Sequence, residues 1–164
     1  SIGPAGITLV IVRKDLLEPK REPLPHLMTW KAYAESDSMT NTPPTFAWYV
    51  ADLVFQHLLD NGGLTAMAEV NQRKSQKLYG AIDESDFYSN PVDKSCRSWM
   101  NVPFILANPE LDSVFLEESR NAGLTNLKGH RSVGGMRASI YNAVPEAAID
   151  TLIEFMTDFE RRNG

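Results

Sequence analysis

Residues 45–59 read TFAWYVADLVFQHLL, and almost every position is apolar. Asp52 and Gln56, four apart, mark the one polar stripe. The length and composition predict a helix, and a helix this apolar has to be packed on most of its sides, in the core of a larger body or at a subunit interface. The residues before it, Asn41-Thr42-Pro43-Pro44, supply its start. Thr42 is a good N-cap, and Pro43 at the first helical position loses nothing by lacking an N–H. Such a terminus gathers free amides and the positive end of the helix dipole, which suits an anion. An ordinary capped buried helix reads the same way, and these residues alone leave both readings open. His57, near the far end, reads as a structural histidine.

A second apolar run, Ile7–Val12, follows the turn Ser1-Ile2-Gly3-Pro4-Ala5-Gly6. With little alternation, it predicts a strand buried on both faces, as in a parallel or mixed sheet covered by helices. Such a strand needs neighbours on either side, so the chain reads as a piece of something larger. If those neighbours are absent, Ile7–Val12 and Thr45–Leu59 are exposed, and self-association or partial disorder is expected there.

Composition narrows the function classes. The 164 residues are 43% apolar and 23% charged, ordinary for a globular protein of one domain, or one domain plus part of another. A net charge of -5 gives no support to a nucleic-acid-binding surface, although a local cationic pocket is still allowed. No apolar run approaches the roughly 20 residues that span a bilayer, and no signal-peptide core is present. The balance is of a cytoplasmic kind. The single cysteine, Cys96, rules out an internal disulfide or a cysteine metal cluster, and it reads as a buried thiol in a strand.

Between these landmarks the chain alternates. Arg13–Leu17 allows one helical turn, Glu18–His26 is a proline-punctuated loop, and Leu27–Tyr33 suggests a little extended structure. After Asn61-Gly62-Gly63 a long helix is predicted from Leu64 to Ile82, with Arg73, Lys74 and Lys77 as a solvated cationic face. The character of the chain changes near residue 70. A half-buried strand follows over Arg97–Ile105, then a helix opened by Asn108-Pro109-Glu110, a strand over Met136–Tyr141, and a last helix from about Pro145 to Arg161. Strand, helix, strand, helix describes a small α/β layer able to close its own core.

The stretch Lys128–Asn142, KGHRSVGGMRASIYN, carries the chemistry. His130 and Arg131 are adjacent, and Arg137 follows Gly134-Gly135 at the start of a predicted strand. Two guanidiniums and an imidazole beside backbone without Cβ atoms suit a small anion, because the arginine fork matches carboxylate or phosphate. A solvated arginine-rich edge is the plainer alternative.

Taken together, Ser1–Gly6, Asn41–Phe46, Cys96-Arg97-Ser98, Gly129-His130-Arg131 and Gly134–Asn142 resemble the phosphoserine aminotransferases, which are class V, fold-type I pyridoxal-phosphate enzymes. The resemblance extends over the entire chain and corresponds to the C-terminal part of the family's polypeptide. It implies an α/β fold in which residues 1–69 end the large cofactor-binding domain and residues 70–164 form the small, sandwich-like C-terminal α/β domain. It implies transamination of 3-phosphohydroxypyruvate by glutamate to O-phosphoserine and 2-oxoglutarate, serving serine biosynthesis and, in bacteria, pyridoxal-phosphate synthesis. It also implies a cytoplasmic homodimer.

Position by position, the resemblance assigns Arg137 to the substrate α-carboxylate and His130 with Arg131 to the substrate phosphate. Asn41 and Thr42 match the pair that reaches the cofactor phosphate of the other subunit. Ser1 matches the residue just after the Schiff-base lysine, so the chain alone is expected to be inactive and to lack a covalent hold on pyridoxal 5'-phosphate. Two other readings stand beside this one: a non-catalytic anion-binding domain, and a related aminotransferase with another phosphorylated substrate.

Overall fold

In a computed structural model, residues 2–18, 24–132 and 134–164 are described. They fall into two compact units, divided in the sequence between Asp60 and Asn61. The predicted loop Glu18–His26 lies largely outside the described residues.

In the first unit the extended run Ile7–Val12 finds no strand partner among the described residues, and it is not a strand. Leu9, Val10 and Ile11 are exposed, Ile11 completely. An extended segment becomes a strand only by pairing its amides with a neighbour, and the described residues of this unit provide none. A 3₁₀ turn over Lys14–Leu16 follows, as the sequence suggests. Residues 26–35 depart from the extended reading: a 3₁₀ turn at His26–Met28 leads into helix α1, Trp30–Glu35, capped by Thr29 Oγ1, which accepts from the Ala32 amide.

Helix α2, Thr45–Asp60, forms where predicted but starts later than the cap reading allows. Its first backbone bond runs from the Trp48 amide to the Pro44 carbonyl at 3.0 Å, so Pro44, not Thr42, stands at the cap position. The apolar helix buries only Ala47 and Ala51, while Phe46 is 72% and Leu59 68% exposed. Within its own unit it is therefore not packed on most sides.

The second unit is built around one core. Helix α3, Gly63–Asp83, is continuous through residue 70, where the sequence changes character, and its buried positions begin at Asn71. Strand β1, Tyr88–Ser89, pairs antiparallel with β2, Asn101–Leu106, which pairs antiparallel with β3, Met136–Ser139. Helix α4, Asp112–Asn121, lies between β2 and β3 in the chain, and α5, Glu146–Asn163, closes it. The turn before α4 keeps its predicted cap, Asn108 Oδ1 accepting from the Glu110 amide.

The alternation of β2 and β3 decides what faces what. Val102, Phe104, Leu106, Met136 and Ala138 turn inward and join Leu78 and Ile82 of α3, Phe115 of α4 and Ile149, Leu152, Met156 and Phe159 of α5. All three helices thus cover the same face of the sheet. Phe115 is fully buried and meets Phe104, Tyr88, Phe155 and Phe159 edge to face. The opposite face, with Asn101, Pro103, Ile105, Arg137 and Ser139, is not covered by these helices.

Two predicted roles change. Cys96 is exposed in a 3₁₀ turn, Lys94–Cys96, because β2 begins only at Asn101. Its neighbour Arg97 instead forks onto Asp83 at 2.7 and 2.8 Å and stacks over the Tyr79 ring, clamping this loop to the end of α3. Lys74 is not part of a solvated face: its relative exposure is 0%. Lys74, Leu78 and Ile82 recur every four residues, and that spacing carries the lysine into the core.

Candidate functional site

The stretch singled out in the sequence folds back on itself as a hairpin-like loop. Lys128 bridges Met136, and the Arg137 amide donates to the Leu127 carbonyl at 2.7 Å. Inside that frame the Gly129 amide donates to the Gly135 carbonyl at 2.9 Å, and the Gly134 amide to the His130 carbonyl at 2.8 Å. His130 and Arg131 therefore sit exposed in a loop whose base is the strand carrying Arg137.

The glycines are sterically required. A Cβ on Gly129 would stand 2.1 Å from the Gly134 carbonyl oxygen. Gly135 has φ of 58°, and a Cβ there would lie 2.7 Å from both the Phe104 carbonyl oxygen and Ile105 Cγ2. The loop closes this tightly only because these positions lack side chains.

The donors have a defined sense. The Ser132 backbone amide donates to His130 Nδ1 at 3.3 Å, and the Ser132 hydroxyl lies 2.7 Å from the same nitrogen. A nitrogen that accepts cannot carry the proton, so the neutral ring holds its hydrogen on Nε2, free to donate outward. Arg137 alternates with buried Met136 and Ala138 and so lies on the open face, opposite Pro103. Its Nε is buried and has no hydrogen-bond partner among the described residues. A buried guanidinium N–H left unmatched costs free energy unless an anion supplies the acceptor.

Beneath the strand, Lys74 Nζ donates to the carbonyls of Ile140 at 3.2 Å, Tyr141 at 2.9 Å and Val144 at 3.0 Å. Three ammonium protons meet three carbonyl oxygens just beyond the end of β3. Burial pushes the Lys74 pKa down, opposed by the charge of Glu146. Asn71 Nδ2 donates to Asn142 Oδ1 at 2.8 Å and ties the same turn to α3. The sequence reading assigned neither residue to this task. The four-residue spacing of Lys74 with Leu78 and Ile82 was the available signal.

Asn41 and Thr42 are exposed at the bend before α2, in the first unit, whereas His130, Arg131 and Arg137 share the second. The structure thus places three of the five predicted contact residues in one unit, two in the loop and one on the strand at its base. A cleft of about 320 Å³ in the second unit includes Lys128 but none of those three.

The Aminotransferase class-V family profile matches residues 1–152. The chain belongs to the class-V aminotransferases. A phosphoserine aminotransferase from Hahella chejuensis (strain KCTC 2396) is 61% identical over all 164 residues. The chain spans 45% of that relative's length. Among solved structures, a phosphoserine aminotransferase studied for radiation damage of its Schiff base superposes with a TM-score of 0.93 at 46% identity, over 98% of this chain and 45% of its own. A pyridoxal-phosphate-bound phosphoserine aminotransferase from Trichomonas vaginalis superposes with a TM-score of 0.82 at 39% identity, over 89% of this chain and 42% of its own. The α/β fold expected from the sequence is that of these proteins.

Proposed function

We propose that this chain is part of a pyridoxal-phosphate-dependent aminotransferase that moves an amino group from glutamate to 3-phosphohydroxypyruvate, giving O-phosphoserine and 2-oxoglutarate. The observation that carries the reading is the buried, unpartnered Nε of Arg137 at the base of a glycine-closed loop that presents His130 and Arg131. The named relatives act as its context: each is a phosphoserine aminotransferase.

A substrate with two anionic ends needs two cationic contacts at a set separation. Arg137 takes the α-carboxylate common to glutamate and the phosphorylated acid, its planar fork matching two carboxylate oxygens. His130, through Nε2, and Arg131 take the phosphate. The loop closed by Gly129 and Gly135 holds those contacts at a constant distance from the strand, so substrate length is measured by backbone geometry. Lys74 keeps the end of that strand in place from the core side.

The chain's residues suit a cofactor with a phosphate tail. Asn41 and Thr42 are short, polar and exposed, and we assign them to the cofactor phosphate of the opposite subunit in a homodimer. Pyridoxal phosphate, when bound, supplies the electron sink that transamination requires. Residues 1–69 then belong to the large cofactor-binding domain and residues 70–164 to the small C-terminal domain of a cytoplasmic enzyme. The isolated chain binds anions without turnover, because no lysine in it matches the family's Schiff-base position.

The test is a pair of variants in the full-length protein. Arg137→Ala lowers kcat/KM for both glutamate and 3-phosphohydroxypyruvate, by roughly 2–5 kcal/mol for charge pairs in a partly enclosed cleft. Arg131→Ala penalises the phosphorylated acid more than glutamate. Equal losses on the two substrates for the Arg131 variant would overturn the division of roles.

A further inference from the structure

The open face of the sheet carries a polar cluster that the roles above leave unused. In the β2–β3 register Asn101 stands opposite Ser139, and Pro103 opposite Arg137. Opposite residues of an antiparallel pair share a face, so Asn101 is the diagonal neighbour of Arg137 on that face. Diagonal cross-strand positions are about 7–8 Å apart, within the span of an arginine side chain.

Asn101 Oδ1 accepts from Ser139 Oγ at 3.0 Å and from Tyr141 Oη at 3.2 Å. An amide oxygen has two lone pairs, and both are occupied. The two hydroxyls thereby lock the amide about its last torsion and turn its NH2 away from them. Nδ2 makes no hydrogen bond to another described residue. A donor held in place by two other side chains and open to solvent stands beside an arginine whose Nε is buried without a partner among the described residues.

We propose that Asn101 is a second carboxylate-recognition residue, its Nδ2 donating to the same anionic group that the Arg137 guanidinium takes. This rests on the assignment of Arg137 to the substrate α-carboxylate. A carboxylate offers about four acceptor sites, so an arginine fork leaves room for a further donor. A neutral amide adds directional selectivity there without adding charge. Ser139 and Tyr141 act through Asn101 as positioning residues, since each spends its proton on Oδ1.

The experiment compares Asn101→Ala, Asn101→Asp and Arg137→Ala in the full-length protein with its cofactor. Asn101→Asp keeps the side-chain shape and the Oδ1 that accepts from both hydroxyls while replacing the donor by an anionic oxygen, so it reports even if Asn101→Ala unfolds. The expected result is a KM for glutamate raised about tenfold or more in Asn101→Ala, further in Asn101→Asp, with kcat changed far less. Inhibition by phosphoethanolamine, a phosphorylated amine without a carboxylate, should stay within about twofold of the parent. An unchanged glutamate KM in both Asn101 variants, or an equal loss of phosphoethanolamine inhibition, overturns the proposal. If Arg137→Ala raises the glutamate KM while the Asn101 variants do not, only the Asn101 assignment falls. If Arg137→Ala leaves it unchanged, the carboxylate assignment fails and this inference with it.

Discussion

The buried ammonium of Lys74 donates to the carbonyl oxygen of Tyr141 at 2.9 Å, joining the middle of α3 to the end of the strand that carries Arg137. With the bonds to Ile140 and Val144, all three ammonium protons are used. Replacing Lys74 with methionine keeps most of the packed volume but strips the donor from three carbonyls. Buried polar groups left unmatched cost about 1–3 kcal/mol each, so the variant should lose about 3 kcal/mol or more of stability. The shift of the urea midpoint measures it, and an unchanged midpoint would show that water or a rearranged turn replaces the ammonium.

Gly129→Ala should open the anion loop. A Cβ 2.1 Å from the Gly134 carbonyl cannot be absorbed by a side-chain adjustment, because the obstacle is backbone. Overpacking of this kind costs typically about 1–3 kcal/mol. The expected signature is a lowered melting temperature together with weaker binding of the phosphorylated substrate in the full-length protein. Gly134→Ala meets nothing within 4 Å, so steric contact contributes nothing there and the left-handed backbone, φ 80°, is its only strain. The milder effect of Gly134→Ala separates crowding from conformation.

Acid should release the loop that precedes β2. The Arg97 fork, and secondarily Lys94, holds the Asp83 carboxyl at about 2, below its ordinary 3.8. The folded carboxylate therefore binds a proton less readily than the unfolded one, and the stabilisation is complete above the ordinary value and lost as pH falls from 3.8 towards 2. Urea midpoints recorded between pH 5 and pH 2 should fall over this range, and Arg97→Met should flatten that part of the curve. A parallel decline in parent and variant would place the acid sensitivity elsewhere.

The apolar surface of the first unit should drive association of the isolated chain. Phe46, Tyr49 and Leu59 of α2, together with Leu9, Val10 and Ile11, are all at least half exposed. Exposed apolar groups on this scale mark contact surfaces in soluble proteins. Sedimentation velocity should show species larger than a monomer that shrink on dilution, and Phe46→Glu with Leu9→Lys should shift the distribution towards the monomer. A concentration-independent monomer at high protein concentration would count against it.

Periodicity located most of the second unit's elements, but not β1, whose two residues lie in the stretch 83–91 that reads as loop. The stripe Ile149, Leu152, Met156, Phe159 and the alternation Val102, Phe104 are local patterns, and each is buried as its period requires. The turn that leads into α4 was equally readable, because the Asn108 side chain accepts from the Glu110 amide two residues on. The α2 cap was less so: Thr42, Pro43 and Pro44 are all compatible with a helix start, and only the Trp48–Pro44 bond chooses among them.

What the sequence by itself determined is the set of local elements and the cationic, glycine-rich character of Lys128–Asn142, since propensity, period and the absence of a Cβ act within a few residues. What tertiary structure decided is which of those groups meet. Ile7–Val12 has the composition of a buried strand but no strand partner among the described residues of its unit, so it does not form one there. Lys74 looked like one more surface lysine until carbonyls 66, 67 and 70 residues away supplied its acceptors. Asn101 acquires its orientation from hydroxyls 38 and 40 residues on. The cost of burying a donor depends on where its acceptor stands in space, and residue type in order along the chain carries no record of that.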